Sequence, residues 1–207
     1  MKNISFSSAL LSRVRDAKRE LISIDGRRIG VVTKNLAFLH DAVVASEQLL
    51  LEAAQSVDLL PDEPFRSRLG EYYRSHLEEE RGHVTWLRCD LESVGVRPGV
   101  PNQYAMEMVG TQYYLLKHVH PAALLGYLAV VEGDPVPLAV VDSLEGLHGT
   151  TLFRFVRFHA TKDLEHRIEL FEVMDAAPES AKQIIAESAE SVLAKLSEAT
   201  VQWTHQQ

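Results

Sequence analysis

The sequence predicts an all-α helical bundle of about seven to eight helices, on three observations. Apolar residues recur at steps of three and four along most of the chain, nothing reads as a sheet, and Gly, Pro and Asp-Gly breaks punctuate the periodic stretches. Helical segments follow in order at about 6–22, 30–57, 63–95, 102–117, 121–132, 137–147, 150–175 and 178–203. Asp25-Gly26 separates the first two and Pro61 the next pair; Gly95 to Pro101 closes the third. Pro121 opens the fifth, and Gly133 to Pro137 ends it. Gly149 stops the sixth and Pro178 starts the last. No repeat or low-complexity segment is visible.

At 207 residues, with 46% apolar and 24% charged side chains, the chain can fill one core, and no linker divides it; residues 1–207 read as a single domain. The net charge of -8 argues against a nucleic-acid partner, which needs clustered Lys and Arg. Cys89 is the single cysteine, so neither an internal disulfide nor a thiolate metal cage can form, and a reducing cytoplasm fits. Met1 to Glu20 lacks an apolar stretch of signal-peptide type. The longest apolar run, Pro121 to Val131, is interrupted by Gly126 and is far shorter than the ~20 residues of a membrane span. No membrane partner is expected.

The chemistry lies where polar groups interrupt apolar helix faces. Leu152, Val156, His159, Asp163, His166, Leu170 and Val173 follow one another at steps of 4, 3, 4, 3, 4 and 3, one continuous face. Its apolar ends should pack inward, which buries two imidazoles and a carboxylate between them, at a cost of several kcal/mol if they go unpaired. A metal removes that cost, because neutral imidazole and carboxylate both ligate iron, manganese or zinc. The alternative is a His-Asp-His hydrogen-bonded cluster in a wet seam.

A second seam runs through Leu69, Tyr73, His76, Glu80, His83, Leu87 and Val94, again with its polar groups in the middle. A third, through Leu36, His40, Val44, Glu47, Leu51 and Ala54, places Glu47 on a largely apolar face, although an exposed glutamate explains that residue equally. Glu132 closes the apolar segment, one turn beyond Leu128; there it faces the core or sits solvated at a helix end. Four segments thus offer carboxylate or imidazole to a shared dinuclear site.

With these residues the chain resembles the heme-oxygenase-like diiron oxidase and oxygenase family, the iron-containing redox enzymes. The family's last ligand helix carries His-x3-Asp-x2-His, here His159, Asp163 and His166. An early Glu, a His about 36 residues later and a Glu in the next long segment match Glu47, His83 and Glu132. Local context agrees, in Glu79-Glu80-Arg81-Gly82-His83 followed by Trp86 and Asp90-Leu91, and in Leu124-Leu125-Gly126-Tyr127 leading to Glu132-Gly133. The resemblance covers roughly residues 30–175. It implies a heme-oxygenase-like bundle and two iron ions, or an iron-manganese pair, with O2 as co-substrate. It also implies oxidation of a small organic substrate, amino-acid-like or fatty-acid-like, by N-oxygenation, desaturation or oxidative carbon-carbon cleavage. Glu80 is then an additional or movable ligand, while His76 and Glu79 stay open. A homodimer is compatible with all of this.

The ferritin-like alternative uses Glu80-x2-His83 and Glu145-x2-His148 with Glu47 and Glu132. Only 12 residues separate Glu132 from Glu145, among them Gly133, Pro135 and Pro137, too little for two facing antiparallel helices, and His159, Asp163 and His166 are left without a role. A cofactor-free hydrolase would need a pocket cysteine, but Cys89 falls roughly 120° off the His83 face. Heme needs one axial His and does not call for three carboxylates with three imidazoles. A non-catalytic metal-binding bundle would share the same ligands. His118 and His120 read as a solvated surface pair.

Overall fold

The computed structural model describes residues 4–21, 26–61 and 64–205. Asp25 and the predicted helix limits at 22 and 63 lie outside them. All eight predicted segments are helical, and two of them are interrupted. The order is α1 (Phe6–Leu21), α2 (Ile29–Val43), α3 (Ser46–Val57), α4 (Pro64–Glu80), α5 (His83–Glu92), α6 (Gln103–His118), α7 (Ala123–Val131), α8 (Leu138–His148), a 3-10 turn (Thr150–Phe153), α9 (Arg154–Asp175) and α10 (Glu179–His205). There is no strand among the described residues. No described helix is long and apolar enough to cross a membrane.

The two interruptions have different origins. Between α4 and α5 the chain turns at Gly82, whose φ of 83° lies in the left-handed region that glycine enters without a Cβ penalty. Between α2 and α3 the turn falls at Val44 and Ala45, both with negative φ and no side-chain cap. That second turn changes the phase of the helix. Val44 and Leu51 are exposed, so the predicted stripe from Leu36 to Ala54 is not one continuous buried face.

Helix ends are satisfied by long-range partners as well as local ones. The Asp175 carboxylate accepts from the Ser7 N–H and hydroxyl, both at 2.8 Å, and so caps α1 from the end of α9. Asn102 caps α6 by accepting from the Tyr104 N–H. The buried Asp90 of α5 accepts from the Phe155 N–H at 2.8 Å and from Arg154 Nε at 2.7 Å, which fixes the start of α9 against α5.

α7 is buried on all sides, as its uniformly apolar sequence requires. It lies so close to α10 that a Cβ at Gly126 would stand 2.1 Å from the Ile185 carbonyl oxygen. Only glycine fits there.

The buried apolar side chains form two clusters. The larger includes Leu69 and Tyr73 of α4, Leu125 and Leu128 of α7, and Leu170 and Val173 of α9. The smaller includes Leu87 and Leu91 of α5 with Leu152, Phe155 and Ala160. The α4–α5 segment and α9 therefore each run from one cluster to the other. Their polar residues occupy the boundary.

Candidate metal centre

That boundary carries two groups of ligand-capable side chains. Glu80, His83 and His159 form one trio, and His76, Glu79 and His166 the other; within each, one ligand atom per residue lies within 4.8 Å of the others. The helical repeat explains the split. His76, Glu80 and His83 share the inward face of α4–α5, and Glu79 sits one residue off it, half-exposed, reaching toward α9. On α9, His159 and His166 are two turns apart, so one meets each trio.

Asp163 lies between them. Its Oδ1 is 2.9 Å from His159 Nδ1 and 3.7 Å from His166 Nδ1. In the first trio His83 Nδ1 and Glu80 Oε1 are 3.0 Å apart. In the second, His166 Nε2 and Glu79 Oε2 are 3.1 Å apart. Glu132, at the C-terminal cap of α7, places Oε2 3.0 Å from His76 Nε2, though without the alignment of a hydrogen bond. Aromatic rings close the first trio: the His83 ring centroid is 5.0 Å from Trp86 and 5.2 Å from Phe158, and Phe155 packs against His159 at 4.3 Å.

Glu47 joins neither trio. Its Oε1 accepts from the Gly82 N–H at 2.9 Å, at the turn just before His83. Glu80, His83, Glu132, His159, Asp163 and His166 thus converge, with Glu47 one hydrogen bond away through the backbone. His76 and Glu79 complete the second trio. For His76 the signal was its place in the seam; for Glu79, which lies off the seam, it was only the spacing His76-x2-Glu79.

Residues of the ferritin-like alternative are engaged elsewhere. Glu145 pairs with Arg157, with Oε1 2.7 Å from Nε, and His148 Nε2 lies 2.7 Å from the Gly26 carbonyl oxygen. Cys89 is exposed. Of the predicted surface pair, His118 is exposed and stacks near Tyr114, whereas His120 is partly buried and accepts from the Ala122 N–H through Nδ1.

The electrostatics couple the buried imidazoles to the carboxylates beside them. Burial alone would push the His76 imidazole down, but Glu132 first, then Glu80 and Glu79, lift it to about 9. His159 follows the same pattern, lowered by burial and raised overall by Asp163. Burial raises Asp163, with His159 opposing, while for Glu80 the hydrogen bond to His83 and the nearby imidazoles outweigh burial and lower it.

Among the described residues six buried imidazole or carboxylate atoms lack an aligned hydrogen bond, and four of them lie here: His159 Nε2, His166 Nδ1, and His76 Nε2 with Glu132 Oε2, which face each other at 3.0 Å. The other two, His40 Nδ1 and Glu52 Oε2, belong to neither trio. Leaving a buried polar atom without any partner costs on the order of 1–3 kcal/mol, which applies to His159 Nε2 and not to the facing pair His76 and Glu132. Nitrogen and carboxylate donors in this ratio suit divalent iron, so the residues present fit a metal group at this place.

A family model described as an iron-containing redox enzyme matches residues 43–196. The chain belongs to the iron-containing redox enzyme family. Membership makes it an iron-containing oxidoreductase, and the matched span holds every residue of both trios. The fold agrees with a solved structure, a domain of unknown function with a heme oxygenase-like fold from Shewanella denitrificans OS217. The two superpose with a TM-score of 0.67 at 14% identity, covering 96% of this chain and 88% of that one. No curated protein matches the chain.

Proposed function

We propose that this family member is a nonheme diiron enzyme that uses O2 to oxidise a small organic substrate. The observation that carries the reading is the pairing of two nitrogen-and-carboxylate trios around one carboxylate, Asp163, with Glu132 beside them. In this reading Glu80, His83 and His159 hold one iron, and His76, Glu79 and His166 the other. Two ferrous ions so held would together supply the electrons that reduce O2.

The protein's own contribution is placement. Asp163 Oδ1 faces Nδ1 of both α9 imidazoles and so orients them. The Glu47 carboxylate holds the Gly82 N–H and with it the turn that presents His83. Phe155 and Phe158 pack around His83 and His159 and keep bulk water from one side. A cavity of about 170 Å³ opens beside Glu80, Glu132, His159 and Asp163 and gives a substrate access to the centre.

Anaerobic loading with Fe(II), metal analysis and then exposure to O2 tests this. The reading expects about two irons per chain and O2 uptake that rises when the true substrate is present. Tight binding of zinc alone, or iron oxidation with storage of many ions per chain, contradicts it.

A further inference from the structure

The cavity beside the trios has a charge pattern that metal binding leaves unused. Its walls are largely apolar, with Leu39 and Val43 from α2, Val131 from α7, Val136 from the loop after it and Phe155 from α9. Its volume, about 170 Å³, is close to the ~150 Å³ that accommodates a benzene ring in a protein interior. Among the described residues that line it, Lys18 of α1 is the only lysine or arginine, and it shares the lining with the carboxylates of Glu80, Glu132, Asp134 and Asp163, of which the first, second and last belong to or border the trios.

Lys18 is poorly matched by the protein itself. Its Nζ reaches the Asp134 carbonyl oxygen at 3.5 Å, the far limit of a hydrogen bond. The Asp134 carboxylate is already held by Arg15 at 3.1 Å. Asp163 and Glu132 face His159 and His76. Burial pushes the Lys18 ammonium below its usual range, and Asp134 and Asp163 offset this only in part. An ammonium in such a place is stabilised by an anion that enters the cavity.

We propose that Lys18 binds the carboxylate of the substrate, whose uncharged body lies along Leu39, Val43, Val131 and Phe155 and whose reacting end faces Glu80, Glu132 and His159. This rests on the oxidoreductase reading above and narrows its substrate to small monocarboxylic acids with an apolar body.

The test is calorimetric titration of the anaerobic, Fe(II)-loaded protein with benzoate and with benzamide, which match in size and differ in charge. Wild type should prefer benzoate by about tenfold or more. Lys18→Met and Lys18→Gln should each remove that preference while benzamide affinity and iron content stay at wild-type levels. A preference that survives both substitutions shows that the carboxylate is held elsewhere, for example on the iron, and overturns the proposal; so does failure of benzoate to bind wild type. Iron content is read separately. A chain that binds no iron and still shows a Lys18-dependent benzoate preference refutes the metal assignment and leaves this one standing.

Discussion

Asp163 is the residue on which both trios depend. It is 4% exposed, and a single carboxylate oxygen faces two imidazoles. Its side chain contributes charge more than packing, so Asp163→Ala should lower iron affinity by about tenfold or more and leave far-UV circular dichroism near wild type. Unchanged iron content with a large loss of helix would make Asp163 a structural residue. The His76 imidazole sets a pH dependence. Held at about 9 without metal, it carries a proton at neutral pH, and iron needs its neutral lone pair. Raising the pH from about 6.5 toward 9 should therefore strengthen Fe(II) binding, and binding near pH 7 should release protons, seen as a buffer-dependent heat. For the metal-free chain the sign is opposite: the raised His76 contributes stability that is present below about pH 6.5 and lost as pH rises through about 9. His159, Asp163 and His166 stood out in the sequence because they replace apolar residues on a face whose ends are Leu and Val. Lys18 had no such signal. It reaches the site only because α1 crosses the cavity, a long-range fact that local spacing does not carry.

Among the elements, the α4–α5 turn matters most, since it sets how far His83 stands from His76 and Glu80. A Cβ at Gly82 would meet nothing within 4 Å, so the obstacle to substitution is backbone conformation alone. Gly82→Ala should cost roughly 1–2 kcal/mol, read by urea unfolding, and Gly82→Asn less, because asparagine tolerates the left-handed region. Equal losses for the two would mean that the turn relaxes out of that conformation. The extent of the helices was readable from periodicity, and Gly82 is visible as a breaker once the turn is known. The α2–α3 turn was not readable. Neither Gly nor Pro occurs at Val44 and Ala45, and the chain breaks there without a local signal, which moved Glu47 off the expected face and onto the Gly82 N–H.

Across the molecule, two apolar clusters enclose a polar belt, and α4–α5 and α9 cross that belt with ligand-capable groups at the crossing. The seams placed these polar groups between apolar ends facing a single bundle axis; the division into two clusters was not legible in them, and Val94, the expected apolar end of the second seam, is exposed. Which groups share a trio was not decidable from spacing, because it depends on how the two crossings register against each other. The central claim is that the belt holds two iron ions, one at each trio. Anomalous diffraction at the iron edge, from crystals loaded anaerobically with Fe(II), tests it most directly. The account predicts two peaks, one among Glu80, His83 and His159 and one among His76, Glu79 and His166, with Asp163 between them. A single peak, or iron bound at Glu145 and His148, would contradict it.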